Sequence, residues 1–261
     1  MSLVHRTILK TFPRSTERAH GPDFSKYNVR FNASVRSDPP INFVTQRTSY
    51  GTKRDESLET LYKDIMPIGV KMAYHYFSTG ARWQDQVDAF LEYTDGKDYL
   101  AFWLDYEPYY NNLNRKSAED AGLWIEKVEA ATKLRTGLYT SPSVFRDRLK
   151  PYVEWPKTAD LWIARYWFTP QPNGDPDLAW WKLGRTDWDF WQYTDSGDPK
   201  KYGTFAGKDD YGEYKVPTKG CDLNVFKSDY AALLDWLGFS EPEPEHPKGV
   251  RRLGQRFPKP L

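Results

Sequence analysis

The sequence predicts an α/β fold in which about eight strands close into a barrel that carries fewer than eight helices. Short apolar runs alternate with helical patterns along most of the chain, which favours parallel strands joined by crossover connections. About eight such runs are present, enough to close a barrel. Helical patterns become sparse after Tyr139, so we expect the later strands to be joined mainly by loops and short helices.

The predicted strands are short apolar segments rich in aromatic and β-branched residues. The first lies near Asp23, and the others span residues 41–45, 70–77, 99–106, 136–140, 160–166, 188–193 and 222–226. In barrels of this kind the chemistry gathers at the carboxyl ends of the strands. Functional side chains are therefore expected at those ends.

The clearest predicted helix spans residues 117–134. Ser117 and Asp120 resemble a capping box at its start, and apolar residues then follow at the spacing of one helix face. Shorter patterns predict helices over residues 58–65, 83–93 and 230–237. Three of these four helices lie between predicted strands, as the alternating pattern of a barrel requires.

One folded unit is predicted over residues 21–238. Residues 1–20 carry four basic side chains against one acid and show no periodicity, which indicates a basic N-terminal arm. Residues 239–261 are rich in proline and charge, a composition that opposes a packed core. They are interpreted as an extended C-terminal tail.

The composition favours a carbohydrate ligand. Aromatic residues make up 16% of the chain, more than an ordinary core needs, so some rings are expected to face outward in a groove. Sugar rings stack on aromatic faces through their axial C–H groups. The formal net charge of +1 provides no field that would attract nucleic acid, so a nucleic-acid partner is not expected.

Neither a disulfide framework nor a membrane span is predicted. Cys221 is the single cysteine, which rules out an internal disulfide. No stretch approaches the ~18 continuous apolar residues of a membrane-spanning helix, and the N-terminus lacks the apolar segment of a signal peptide. We therefore expect a protein that is made in the cytoplasm, does not insert into membranes and acts as a monomer.

The most informative segment is 102–108, where an apolar strand ends in Asp105 and Glu107. Side chains alternate faces along a strand, so these acids point to the same side with Cα atoms about 6–7 Å apart. Mutual repulsion is expected to raise the pKa of one and keep it protonated near neutrality. Glycoside hydrolysis uses such a pair, one acid to protonate the leaving oxygen and one carboxylate to stabilise positive charge. Taken alone, the pair could equally be two solvated acids.

Two further acids lie at strand edges. Asp23 belongs to the first predicted strand and Asp222 opens the last. Because the first and last strands of a closed barrel are neighbours, these two carboxyls could meet. Each could also be a helix cap or a turn anchor.

Aromatic residues cluster near the same strand ends and predict a sugar groove. The predicted substrate-binding side chains are Tyr74, Tyr76, Tyr139, Tyr166, Trp191 and Tyr193. Any one of them could instead belong to the core. His75 lies between two of the tyrosines and is interpreted as a packing or hydrogen-bonding residue on the opposite face. No Cys/His spacing resembles a zinc site and no nucleotide-binding motif is present, so no metal or cofactor is predicted.

Five ordered segments resemble glycoside hydrolase family 25, a family of lysozymes, and the resemblance covers residues 21–238. Residues 21–25 are similar to its opening G-x-D-x-S motif, 73–77 to A-Y-H-[FY]-F and 105–107 to D-x-E. Residues 191–194 are similar to W-Q-Y-[ST], and 222–226 to D-L-N-x-F.

The resemblance implies a modified TIM-like β/α barrel that cleaves bacterial peptidoglycan between N-acetylmuramic acid and N-acetylglucosamine, with retention of configuration. Glu107 would be the proton donor, and Asp105 would either orient the substrate's N-acetyl group in a substrate-assisted mechanism or act as the nucleophile. Asp23 and Asp222 would line the same pocket. Many relatives are phage proteins released without a signal peptide, which fits action on the cell wall by a phage-encoded enzyme.

Two other readings compete with a lysozyme. A chitinase-type barrel would carry a further acid two residues before Asp105, where this chain has Trp103. A non-catalytic wall-binding or virion structural protein could keep the same fold. The presence of both Asp105 and Glu107 favours the enzyme.

Overall fold

The computed structural model describes residues 17–239 apart from 29, 36, 38, 110, 167–172, 208–215, 218 and 219. The strands in this part of the chain are β1 His20–Phe24, β2 Arg30–Phe31, β3 Phe43–Tyr50, β4 Lys53–Arg54, β5 Val70–Tyr76, β6 Ala101–Asp105, β7 Thr136–Thr140, β8 Leu161–Ala164, β9 Phe190–Gly197, β10 Thr204–Gly207, β11 Val216–Pro217 and β12 Cys221–Phe226. Its α-helices are α1 Leu58–Ile65, α2 Trp83–Thr94, α3 Arg115–Thr132, α4 Pro142–Val144, α5 Pro199–Tyr202 and α6 Tyr230–Trp236.

Eight strands close into the barrel that the sequence predicts, in the order β1-β12-β9-β8-β7-β6-β5-β3, with β3 paired back to β1. The expectation of parallel strands throughout is wrong for one strand. β12 runs antiparallel to both of its neighbours, whereas the other seven strands are parallel to one another. Antiparallel neighbours need no helical crossover, which fits the scarcity of helix between β9 and β12.

The remaining strands lie outside the barrel. β4 forms a hairpin with the end of β3, and β2, β10 and β11 form a separate three-stranded sheet. The fewer-than-eight helices expected from the sequence correspond to six α-helices among the described residues.

The capping box of α3 differs from the predicted one. Asn114 is the N-cap, and its side-chain oxygen accepts a hydrogen bond from the backbone N–H of Ser117. Ser117 Oγ in turn accepts from the backbone N–H of Asn114 at 2.9 Å. The helix therefore starts before Ser117, because Asn is as strong a cap as Ser and lies three residues earlier.

Two apolar cores flank the barrel wall. The inner core fills the barrel and includes Phe43, Trp103 and Phe190. Helix α6 covers the amino-terminal end of this core, where the Trp236 ring stacks on Trp103 with centroids 6.0 Å apart and planes 4° apart. The carboxyl-terminal end of the barrel is left for polar side chains.

The outer core lies between the strands and the helices. As predicted, His75 faces this side: its ring stacks on Trp124 of α3 with centroids 5.0 Å apart. Its ring nitrogens make hydrogen bonds with Ser49 Oγ at 2.8 Å and Gln86 Oε1 at 3.1 Å. His75 is thus a structural residue.

The packed chain extends slightly beyond residues 21–238. Ala19 is buried, and its backbone is hydrogen-bonded to Phe226 and Ser228. At the other end, Phe239 packs against the inner core. Most of the predicted arm and tail lies outside the described residues. No helix in the described part of the chain is long and apolar enough to cross a membrane.

Candidate active site

Four carboxyl side chains come together at the carboxyl-terminal end of the barrel. Asp23 on β1 pairs in register with Asp222, which lies at the start of β12 and reaches this end because β12 is reversed. Asp105 is the last residue of β6, and Glu107 follows two residues later. The charge of Asp23 raises the pKa of each of the other three acids, so the four groups share one site.

A hydrogen-bond network holds Asp23 in place. Asp23 Oδ2 accepts from Gln192 Nε2 at 2.7 Å and from Asn224 Nδ2 at 2.8 Å. Asn224 Oδ1 accepts from the indole N–H of Trp162, and Gln192 Oε1 accepts from the hydroxyl of Tyr139, both at 2.8 Å. An indole nitrogen only donates, so it fixes the amide orientation of Asn224 and points the amide's donor at the carboxyl.

Burial dominates the electrostatics of the site. It raises the pKa of Asp23 to about 6, although the hydrogen bonds from Asn224 and Gln192 act in the opposite direction. It also raises the pKa of Asp222 well above its usual range, with further contributions from the charges of Asp23 and Asp195. A charged carboxylate is costly in a site shielded from water, so this end of the barrel favours retained protons.

Glu107 has the raised pKa that the sequence argument requires, but for a different reason. Burial raises the pKa of Glu107 to about 7, and the charge of Asp23 adds to this rise. The sequence predicts mutual repulsion with Asp105 as the cause, but Asp105 is not among the groups that raise the pKa of Glu107. In the structure Glu107 acts on Asp105 instead: after burial, the charge of Glu107 is the next contribution to the raised pKa of Asp105.

Arg47 is a partly buried positive charge that acts on Asp23 and Asp105. Its Nε lies 2.7 Å from Asp55 Oδ2, and the ion pair is almost completely buried. The Arg47 guanidinium opposes the burial that raises the pKa of Asp105, and so favours its charged form. Asp105 Oδ1 is buried and has no hydrogen-bond partner among the described residues.

The four tyrosines at the predicted strand ends lie around the carboxyls. Burial raises the pKa of Tyr76, and the charges of Asp105 and Glu107 add to the rise. Burial and the charges of several acids of the site also raise the pKa values of Tyr74 and Tyr139. Tyr166 is 39% exposed, and its hydroxyl donates to Gln192 Oε1. The exposed face of Tyr166 makes it part of the rim.

Trp191 and Tyr193 are not at this site. Both are buried in the outer core, on the face of β9 opposite to Gln192. Trp191 donates its indole N–H to the carbonyl of Arg165 at 2.7 Å, and Tyr193 OH bonds to His20 Nε2 at 2.6 Å. These contacts hold both side chains in the outer core, so neither is among the proposed substrate-binding residues.

The loop that carries Glu107 is fastened to its neighbour by Asn111. Asn111 Nδ2 donates to the carbonyls of Phe77 at 2.8 Å and Glu107 at 2.9 Å, and its Oδ1 accepts from the backbone N–H of Thr79 at 2.9 Å. Tyr76 OH also donates to the carbonyl of Tyr109. The backbone at Glu107 is therefore tied to the loop after β5.

Sequence reasoning missed Arg47, Asn111, Gln192 and Asn224. Gln192 and Asn224 lie inside segments already singled out as motifs, and strand alternation places them on the same faces as Phe190 and Phe226. Alternation shows that these residues share a face, but it does not show that this face points into the barrel. Arg47 and Asn111 act through contacts distant in sequence, which no local pattern reports. Among the described residues, no group of His, Cys, Asp or Glu is arranged to hold a metal ion.

A β/α barrel with acids gathered at its open end, one of them with a pKa near neutrality, is the arrangement of a glycoside hydrolase. The family comparison agrees. The model of Glycosyl hydrolases family 25 matches residues 22–201, and the chain belongs to this family.

Solved structures show the same fold. The catalytic domain of the endolysin ply40 from bacteriophage P40 of Listeria monocytogenes is 25% identical, with a TM-score of 0.63 and coverage of 87% of this chain and 100% of that chain. A bacterial lysozyme from Streptomyces coelicolor is 19% identical, with a TM-score of 0.65 and the same coverages. A muramidase from Acremonium alcalophilum is 21% identical, with a TM-score of 0.62 and coverages of 85% and 99%. No curated protein sequence matches the chain.

Proposed function

We propose that this glycoside hydrolase is a lysozyme that cleaves the β-1,4 bond between N-acetylmuramic acid and N-acetylglucosamine in bacterial peptidoglycan. Membership of family 25 supports the reaction class. The endolysin, lysozyme and muramidase among the similar structures support the substrate and an action on the cell wall, and the endolysin supports a relation to phage proteins.

Glu107 is the proposed general acid, and its placement is the observation that carries the proposal. It is half-buried at the open end of the barrel, two residues beyond β6, and its pKa is raised to about 7. A carboxyl in that state still holds a proton near neutrality and can give it to the glycosidic oxygen as the bond breaks.

Asp105 is the proposed partner of Glu107 in a retaining, substrate-assisted reaction. Its carboxyl, at the carboxyl-terminal end of β6, would accept the N–H of the substrate's acetamido group and direct the acetamido oxygen toward the anomeric carbon. Burial and the charge of Glu107 raise the pKa of Asp105, and Arg47 opposes them. The positive charge that develops on the bound sugar would therefore favour ionisation of Asp105, and the resulting carboxylate would stabilise that charge. A direct nucleophilic role for Asp105 is the second candidate, because the same carboxylate is aimed at the same end of the barrel.

Asp23 and Asp222 complete the negative lining of the site. Asp23 is fixed by Gln192 and Asn224, and its charge helps to keep Glu107 protonated. Tyr74, Tyr76, Tyr139 and Tyr166 are the proposed substrate-binding side chains, and Tyr166 offers an exposed ring to a sugar.

The test is digestion of purified bacterial cell walls, with Glu107→Gln as the matched control. Turbidity should fall, and borohydride reduction of the products should convert muramic acid, not glucosamine, into the corresponding alcohol. Proton NMR of early products should show the β anomer of the new reducing end. Binding to walls without any release of reducing ends would instead indicate a non-catalytic wall-binding or virion structural protein.

A further inference from the structure

Four aromatic side chains of the described chain are exposed, and all follow the carboxyl end of a barrel strand in sequence. They are Tyr27, Tyr109, Tyr166 and Trp180, with exposures from 39% to 70%. Each lies in a segment that follows the carboxyl end of a barrel strand: β1, β6 and, for the last two, β8. By contrast, the exposed Met66 precedes β5 and lies at the other end of the barrel. Tyr27, Tyr109 and Tyr166 lie within five residues of those strand ends, so their rings face solvent at the rim around the acids.

Trp180 is the largest of these rings and is presented by an anchored turn. Leu178 and Leu183 on either side are buried in the outer core, at 2% and 0% exposure, whereas Trp180 is 67% exposed. Asp177 and Lys182 adopt left-handed backbone conformations, with φ of 51° and 55°. Such conformations are unfavourable for residues with side chains and persist where the surroundings enforce them.

The Trp180 ring is held by its neighbour Trp181. The two rings meet edge to face with centroids 4.8 Å apart. The guanidinium carbons of Arg146 and Arg165 lie 5.4 Å and 5.7 Å from the Trp181 ring centroid, which restrains Trp181. A ring held in this way loses little conformational freedom when a ligand stacks on it.

The same contacts connect Trp180 with the active site. Arg165 directly follows β8, and its backbone N–H donates to the carbonyl of Gln192 at 3.0 Å. Gln192 also binds Asp23 in the site. Arg146 comes from the turn that follows β7 and α4. The Trp180 turn therefore continues the rim on the β7 and β8 side.

We propose that Trp180 is a distal glycan-binding platform, on which a sugar of the peptidoglycan strand stacks several residues away from the bond that is cleaved. This inference rests on the proposed lysozyme function. The ligand proposed for Trp180 is the glycan itself, because an exposed indole ring matches the apolar face of a sugar ring. Trp180 is a binding residue and takes no part in bond cleavage.

The test measures binding of peptide-free peptidoglycan glycan strands by calorimetry, in a Glu107→Gln background that suppresses cleavage. Trp180→Ala should weaken the binding of strands of eight disaccharides about threefold to tenfold, the range expected for one aromatic contact. Strands of two disaccharides should lose less affinity, because a platform distal to the cleaved bond contacts mainly the longer strands. Trp180→Phe should restore much of the loss, and Met66→Ala should bind like the parent.

The outcomes separate this platform from the function on which it rests. Equal loss for short and long strands, or no loss for either, overturns the platform while wall cleavage by the wild type still supports the lysozyme. A loss confined to strands that carry stem peptides overturns the glycan as occupant. Failure of the wild type to bind or cleave any strand overturns both proposals.

Discussion

The two ends of the barrel interior are built from the same strands and have opposite chemistry. At the amino-terminal end Trp103, Phe190 and Phe226 form a dry aromatic cluster under Trp236 of α6. At the carboxyl-terminal end the inward positions carry acids, amides and tyrosines. On β6 the change takes two residues, from Trp103 to Asp105. Aromatic packing at the amino-terminal end therefore offsets the free-energy cost of burying ionisable groups at the carboxyl-terminal end.

The reversed strand β12 serves both ends. Its last residue, Phe226, pairs with Phe190 at the start of β9 and lies in the aromatic cluster. Its second residue, Asp222, pairs with Asp23 among the acids. A parallel strand with the same sequence would place Asp222 at the amino-terminal end of the barrel, and the site would then have one acid fewer.

The largest effect is expected at the open end from Glu107→Gln. The amide keeps the shape of the side chain but has no proton to donate, so turnover should fall by about 10²–10⁴, the usual value of general acid catalysis. Because the pKa of Glu107 is about 7, the wild-type rate should decline above that pH, and the decline should be absent from any residual activity of the variant. Initial rates on soluble muropeptides across pH would measure both effects. Wild-type turnover in Glu107→Gln would remove Glu107 from its role.

At the closed end, Trp103→Ala should affect stability instead. Trp103 is fully buried, with its ring centroid 5.2 Å from Phe190 and 5.7 Å from Trp162. Removing it should lower the free energy of unfolding by about 3–5 kcal/mol, as is usual for a large buried aromatic. Urea denaturation would measure the loss, and Trp103→Phe should lose less. A selective loss of turnover in fully folded Trp103→Ala would contradict the division between the two ends.

Local elements were predicted well because their signals are local. The strand over 136–140 and the helix over 58–65 match β7 and α1 residue for residue. The direction of β12 was not predictable from its own residues, since it depends on pairing with strands far away in sequence.

Which face of a strand points into the barrel is likewise not predictable from the residues of that strand alone. Gln192 faces the acids whereas Trp191 and Tyr193 face the helices, as alternation along β9 requires. Both faces of a barrel strand are apolar, so the pattern within β9 does not tell the inside from the outside. The affinity of aromatic rings for sugars favours Trp191 and Tyr193 as groove residues, but it is the amide of Gln192 between them that reaches the acids.

A smaller loss of turnover is expected from Asp222→Asn. Its carboxyl lies beside Asp23 among the acids, and it can ionise when positive charge develops on a bound sugar, which the amide of Asn cannot do. Turnover should therefore fall about tenfold to hundredfold, equal to about 1.4–2.7 kcal/mol of transition-state stabilisation. Thermal unfolding should stay unchanged or move to higher temperature, because burial raises the pKa of Asp222 and disfavours its charge. Asp195→Asn, which changes an exposed neighbour, is the control. Equal effects of the two variants would show that Asp222 acts only through the general field.

The smallest expected effect is the decrease in the free energy of unfolding that the buried charge of Glu107 causes at high pH. The pKa of Glu107 rises from an ordinary 4.5 to about 7 on folding, so between these values the folded protein keeps a proton that the unfolded chain has lost. The contribution to stability is therefore fully present below pH 4.5 and is lost as the pH rises through 7. Allowing for partial exposure, Glu107→Gln should be about 1–2 kcal/mol more stable than the wild type at pH 8 and equal to it at pH 4. Urea denaturation at both pH values would measure this difference, with Glu126→Gln on the exposed face of α3 as a control that should show none. A constant difference at both pH values would mean that Glu107→Gln acts through packing rather than through the buried charge.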